Sequence, residues 1–488
     1  MRGSPRGRHP GWLRPAATAA VCAVAALSPA GPVAVHGSTT HGLVGTERYI
    51  GTQAPSPGDC AALGFRCFGP RAIQRTYDLP ALYARGFTGR GQTIAIVDSF
   101  GSDSIRHDLN VFDSEFGLPH LCGETGYACR SGDPTFTILQ VQGSPPAISQ
   151  PPSRGTGQEN HALWNGEVTL DVEWSHAVAP QANVLLVTTP TAETLGVQGF
   201  PQMIFAEDYV IKRHLAAVIS QSFASADEAF ASTRSLLRLR YAYVDAVANH
   251  VTVLASSGDS GTANFYKQPV RRPAPIPFPT VEWPASDPLV TGVGGTSVCT
   301  DAQSGLLVDS GSPPPDCQNN PGQREVAWNN TVNDGAPQAG GGGFSHVFGR
   351  PAFQAGVVGG QRRGVPDVAY QADPLTGVLV YSSASGSPPG WYASGGTSAG
   401  SPQWAGLIAI AAQINGGPVG FINPALYRIG ADPARYALDF HDVTVGNNQV
   451  NPAIAGFPAR RGWDPVTGWG TPDAAHLLPD LVAAVNGR

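Results

Sequence analysis

Five short runs rich in β-branched and aliphatic residues, at positions 93–98, 182–188, 215–220, 251–256 and 377–381, are separated by stretches long enough to hold helices. None of them alternates cleanly between apolar and polar residues, so they read as parallel strands buried on both faces. Residues 163–177, 201–213, 226–249 and 402–413 have helical length and spacing. A parallel strand reaches its neighbour only through a crossover of a dozen or more residues, and helices of this size supply it. The expected fold is α/β: a doubly wound, mainly parallel sheet with helices on both faces, which binds ligands beyond the carboxyl ends of its strands. Proline-rich segments 144–154, 268–279 and 311–321 fall between elements of that sheet and read as surface loops.

The chain has 488 residues, 42% hydrophobic and 14% charged, enough for one large α/β domain or two smaller ones. A net charge of −6 with no basic patch argues against a nucleic-acid partner. Arg2, Arg6, Arg8 and Arg14 precede an apolar run at 16–27 and then Ser28-Pro29-Ala30, which together read as a secretory signal over residues 1–30. That run is too short to span a bilayer, and no later one approaches the roughly 20 apolar residues needed. The reading is of a secreted, extracellular monomer with neither a membrane nor a nucleic-acid partner. Apart from Cys22, the cysteines form close pairs, Cys60 with Cys67, Cys122 with Cys129 and Cys299 with Cys317. In an exported chain an even count argues for disulfides, and of the possible connectivities this local one closes short loops and is expected. No CxxC pair or His-rich partner is present, so a zinc reading fails.

Gly395-Gly396-Thr397-Ser398-Ala399-Gly400-Ser401-Pro402 leads into an apolar helix. A serine there sits where free N–H groups and the positive end of the helix dipole stabilise negative charge, as a nucleophile requires, although Ser or Thr after glycine is also an ordinary helix cap. A serine nucleophile needs a base. None of the 12 histidines stands in a His-Gly-Thr segment or opens a helix in a suitable place. Asp98, at the end of the first strand, reads as structural without such a histidine. Glu167 and Asp171, one helical turn apart and flanked by Leu163, Val168, Leu170 and Val172, offer an alternative. Two like charges this close in a partly dry cleft cannot both ionise cheaply, so one carboxyl holds its proton to higher pH and the pair can act as base and acid. Asp259, in Ser256-Ser257-Gly258-Asp259-Ser260-Gly261, follows the strand at 251–256. It either makes an Asx-turn or, protonated, donates to an oxyanion.

With these residues in the order Glu, Asp, Asp, Ser, the chain resembles the sedolisin family of serine-carboxyl peptidases. The resemblance also rests on Gly89-Arg90-Gly91-Gln92, Trp283-Pro284-Ala285-Ser286, Gly342-Gly343-Phe344-Ser345, Val365-Pro366-Asp367-Val368 and Gly462-Trp463-Asp464-Pro465-Val466-Thr467-Gly468. It covers residues 69–488 and implies a subtilisin-like fold with endopeptidase or tripeptidyl-peptidase activity in acid. It implies that Ser398 is the nucleophile, Glu167 the base, Asp171 its orienting partner and Asp259 an oxyanion donor. It also implies that Ser222, Phe223 and Ala224 pair with an extended polypeptide substrate. One structural Ca²⁺ is implied, held by Asp442 and Asp464 and by carbonyls of Val443, Arg460 and Gly462. Residues 31–68 are a short N-terminal segment, less than the independent prodomain usual in the family. Two other readings predict different behaviour: an inactive relative that only binds peptides, and a histidine-dependent subtilisin with a neutral or alkaline optimum.

Overall fold

The computed structural model describes residues 47–144, 161–191, 199–266, 275–307, 315–331 and 337–488. The expected signal at 1–30, the segment 31–46 and much of the three proline-rich segments lie outside the described residues. Within the third such segment, residues Pro315–Asn319 form one short helix around Cys317 instead of a plain loop.

An eight-stranded sheet forms the centre. Along it run Glu325–Ala327, Thr291–Val298, Thr252–Ser256, Val218–Gln221, Thr93–Ser99, Asn183–Thr189 and Phe136–Gln140, and Val368–Gln371 also pairs with Thr291–Val298. Every pairing is parallel except that of Glu325–Ala327, at the edge. Alternate strand residues feed two cores, as a pleat of period two requires. Ile94, Ile96, Val184, Leu186, Val218 and Leu254 face the helices His161–Val178 and Thr397–Asn415. Ala95, Val97, Val187, Ile219 and Val253 face Phe200–Lys212 and Tyr241–Ala248. Helices therefore cover both faces, and the sheet is doubly wound.

Two sequence expectations need correction, and one strand was missed. The strand at 377–381 is Thr376–Ser382, and it belongs to a separate four-stranded sheet, antiparallel to Gly390–Ser394 and parallel to Arg66–Phe68. The helix expected over 226–249 is broken into Thr233–Leu237 and Tyr241–Ala248. Ser232 restarts the chain there, its hydroxyl accepting from Ser235 N at 3.1 Å while its own N–H bonds Ser235 Oγ at 3.0 Å. Thr291–Val298, which carries three glycines, is a strand that the sequence reading did not name. The glycines are there for close packing, since a Cβ on Gly295 would lie 2.7 Å from that of Ala372. Cys60–Cys67, Cys122–Cys129 and Cys299–Cys317 form disulfides, the expected local pairing.

Candidate active site

The serine helix begins at Thr397, and its first turn is set by two glycines. Gly396 has φ of 93°, a conformation that disfavours any side chain, and a Cβ on Gly395 would sit 2.5 Å from the Ala372 carbonyl oxygen. Ser398 is thereby the second residue of a 19-residue helix, fully buried. Pro402 cannot donate to the Ser398 carbonyl four residues back, so that turn is not tied as in a regular helix.

The helix His161–Val178 packs directly against it: a Cβ on Gly406 would lie 2.8 Å from Val178 and 3.1 Å from the Ser175 carbonyl oxygen. Glu167 and Asp171 lie on this helix one turn apart, 4% and 0% exposed. Burial, followed by the charge of Asp171, pushes the Glu167 carboxyl well above its ordinary range, and Ser398 opposes that shift. Burial and then the charge of Asp98 do the same to Asp171, opposed by Ser222. Ser398 Oγ, Glu167 Oε1 and both Asp171 oxygens nevertheless lack a partner at hydrogen-bond geometry. Each of these groups still acts on a neighbour, Ser398 and Asp171 on Glu167 and Ser222 on Asp171. Active-site hydrogen bonds are often long before substrate arrives.

Asp259 comes from the loop after Thr252–Ser256, beyond a strand's carboxyl end as expected. Its Oδ1 accepts from the Thr397 N–H at 2.8 Å and from Thr397 Oγ1 at 3.0 Å. Thr397 Oγ1 in turn accepts from Gly258 N–H at 3.0 Å. Asp259 is thus latched to the residue before Ser398. Although the residue keeps a part-exposed edge, protein surrounds its carboxyl, and burial raises its pKa to about 7 against the pull of the Thr397 bonds.

The other expected site lies near the C-terminus. The Asp464 carboxylate is 1% exposed and accepts from the N–H groups of Arg460, Val466 and Thr467 at 2.8, 2.7 and 2.9 Å. Gly462 N–H reaches both oxygens of half-exposed Asp442, at 3.2 and 3.3 Å. Both aspartates are therefore tied to one loop, and Val443 is buried beside Asp442. Burial lifts Asp464 to about 6 even against those N–H donors, which marks a carboxylate short of positive charge. Two carboxylates on one loop suit a hard cation such as Ca²⁺.

No family model matches the chain. Kumamolisin from Bacillus sp. (strain MN-32) is 30% identical over 427 residues, covering 86% of this chain and 64% of that protein. Sedolisin from Pseudomonas sp. (strain 101) is 32% identical over 238 residues, 48% of this chain and 35% of its own length. The chain belongs to the sedolisin family. Tripeptidyl-peptidase 1 from Rattus norvegicus is 27% identical over 369 residues, 71% of this chain and 57% of that one. The chain thus spans less than two thirds of the length of these relatives. A solved structure of Pseudomonas sedolisin (serine-carboxyl proteinase), complexed with two molecules of pseudo-iodotyrostatin, matches with a TM-score of 0.63 over 85% of this chain and 98% of that one, at 24% identity. The sedolisin fold is the fold seen here.

Asp171, Ser398 and Asp259 all act on Glu167, so the four residues singled out for chemistry lie together in this chain. Asp98 joins them. It closes the strand Thr93–Ser99 fully buried, and its charge acts on both Asp171 and Glu167. The sequence reading gave it a structural role for want of a histidine. Thr397 was quoted only as part of a motif, and nothing in the sequence marks it as the latch for Asp259. Ser222, Phe223 and Ala224 leave the central strand Val218–Gln221, both of whose edges are already paired. Ser220 and Gln221 therefore offer no free edge, which confines any backbone pairing to the residues after them. The Phe223 ring is buried against Phe200, with centroids 5.6 Å apart, so it supports the segment from below.

Proposed function

We propose that this chain is an exported peptidase that hydrolyses polypeptides in acid through an acyl-enzyme on Ser398, with residues 69–488 as its peptidase domain. One observation carries the reading: Ser398 opens a buried helix beside two buried carboxyls held above their ordinary range, while a third carboxyl, likewise raised, is latched to Thr397. Glu167 takes the Ser398 hydroxyl proton as the oxygen attacks the scissile carbonyl and returns it to the leaving amine. Asp171 orients Glu167 and shares its charge with Asp98. Protonated Asp259, with the Ser398 backbone N–H, donates to the oxyanion. Water then attacks the acyl-enzyme, and Glu167 again carries the proton.

The sign of the pH dependence follows. Asp259 donates only while protonated, so its contribution is present below about pH 7 and is lost as pH rises through that value. Glu167 must lose a proton, and that sets the limb at lower pH. The main chain of Ser222, Phe223 and Ala224 pairs with extended substrate, an interaction that gives affinity with little choice of side chain.

Asp442 and Asp464, with the carbonyl oxygens of Val443, Arg460 and Gly462, would hold one Ca²⁺. Bound there, the ion supplies charge compensation for two carboxylates and ties the loop to the fold. Its effect is on stability, because it binds the native state alone.

Casein digestion at about pH 3 to 5, near the carboxyl range, by the protein and its Ser398→Ala variant tests the peptidase. Equal rates would leave a peptide-binding protein instead. Mass spectrometry of the products separates internal cleavage from the release of tripeptides.

A further inference from the structure

Away from the active site, a second group of titratable side chains is gathered between the helix Ile105–Phe116, the loop that follows it and the far end of His161–Val178. Asp113 comes from the first helix, His120 and Glu124 from the loop, and His176 from the other helix. Asp113, His120 and Glu124 each offer a ligand atom within 4.8 Å of the other two. The sequence reading looked for zinc through cysteine and histidine spacing and found none. Here carboxylates supply two of the three ligands, and Asp113 stands seven residues before His120, outside any such pattern.

The Asp113 side chain is fully buried, and neither of its carboxylate oxygens has a hydrogen-bond partner at normal geometry. His176 Nε2 lies 3.3 Å from one Asp113 oxygen, an ion pair when the ring is protonated, and is also bonded to the Pro119 carbonyl at 2.9 Å, which leaves the second Asp113 oxygen facing Glu124. A buried carboxylate facing a second carboxyl favours protonation or a cation. Glu124 is also buried, so two carboxyl groups face one another out of reach of water. His120 Nδ1 lies 2.5 Å from Glu124 Oε2, which also accepts from Asn110 Nδ2 at 3.0 Å. The pocket is built. Leu121 N–H holds the other Glu124 oxygen, the Cys122–Cys129 disulfide brackets the loop, and Tyr127 stacks on the His120 ring at 5.0 Å. His120, 27% exposed in its side chain, gives an entry route.

We propose that Asp113, His120 and Glu124 bind one dication of the Zn²⁺ class, with His176 as the positioning residue behind Asp113. An imidazole nitrogen with two carboxylates favours a borderline metal over Ca²⁺, which takes oxygen alone. The ion cross-links the helix to its following loop and neutralises two facing carboxylates. The other three-residue group of this kind among the described residues, Asp78, His441 and Asp473, is part-exposed at every member, so water reaches its carboxylates.

The test uses the whole protein, stripped of metal and resaturated with Ca²⁺, titrated with Zn²⁺ near pH 7 by calorimetry and with Co²⁺ by visible absorption. The expected result is one ion per chain and a Co²⁺ spectrum of low coordination number. His120→Ala should abolish that uptake in a protein that still folds, as read by its peptidase rate, His176→Gln should weaken it roughly 10- to 100-fold, and His441→Ala should leave it intact. Absence of uptake by the unmodified protein overturns the proposal. So does uptake that survives His120→Ala or disappears with His441→Ala.

Discussion

Asp171 and Asp464 are both aspartates buried to within 1% of full coverage, yet they sit in opposite surroundings. Around Asp464 the backbone supplies three N–H donors, and its pKa rises only to about 6. Asp171 has only Ser222 to set against burial and the charge of Asp98, and its pKa is raised well above the ordinary range. Burial is common to both; the donor set is what differs. A carboxylate wrapped in N–H groups is raised less and ionises again near pH 6, where a cation can pair with it, whereas one among other carboxyls trades protons with them. One chain thus uses the same residue type for chemistry in one region and for stability in the other.

The comparison breaks most visibly at the nucleophile. Ser398→Ala should lower kcat on the order of 10⁶-fold, the scale seen when a triad serine is removed, without altering the melting temperature shift caused by Ca²⁺. Asp259→Ala should cost roughly 10²- to 10³-fold in kcat, as loss of one oxyanion donor does. Asp259→Asn sharpens the point, because its amide still donates but cannot ionise. That variant should keep much of the rate while the fall in activity near pH 7 disappears from the pH–rate profile.

The C-terminal loop should respond in the other currency. Chelation at neutral pH should remove about 2.7 kcal/mol of stability if the ion is present at 100 times its Kd, with kcat unchanged while the protein stays folded. Calorimetric melting with and without EDTA measures this, and Asp464→Asn should abolish the difference. The smallest expected effect is its pH dependence. Without Ca²⁺, the Asp464 contribution is present below pH 3.8 and is lost as pH rises through about 6, because the folded state holds the proton more tightly. The protection given by Ca²⁺ should therefore grow between pH 4 and pH 7.

Much of this was legible in the chain. Aliphatic runs marked four of the central strands, and the spacing of Glu167 and Asp171 placed them on one helix face. The Thr291–Val298 strand was hidden because its glycines answer to packing against Ala372, a contact far off in sequence. Thr376–Ser382 has the composition of a central strand, and only its partner Gly390–Ser394 assigns it to another sheet. Asp98 and Thr397 were present in the motifs, but their parts depend on which groups the fold brings within reach. Burial of Asp113 beside Glu124 and His176 likewise joins residues from three segments, and no local pattern announces it.

The central claim is that carboxyl groups, with no imidazole, move the proton for Ser398. The most direct test is kcat/KM for a chromogenic peptide across pH 3 to 8, for the protein and for Glu167→Gln. The account predicts a profile that falls above about pH 7 in the unmodified protein and a loss of roughly 10²- to 10⁴-fold in the variant. Undiminished hydrolysis by Glu167→Gln, or a rate that climbs through the imidazole range, would contradict it.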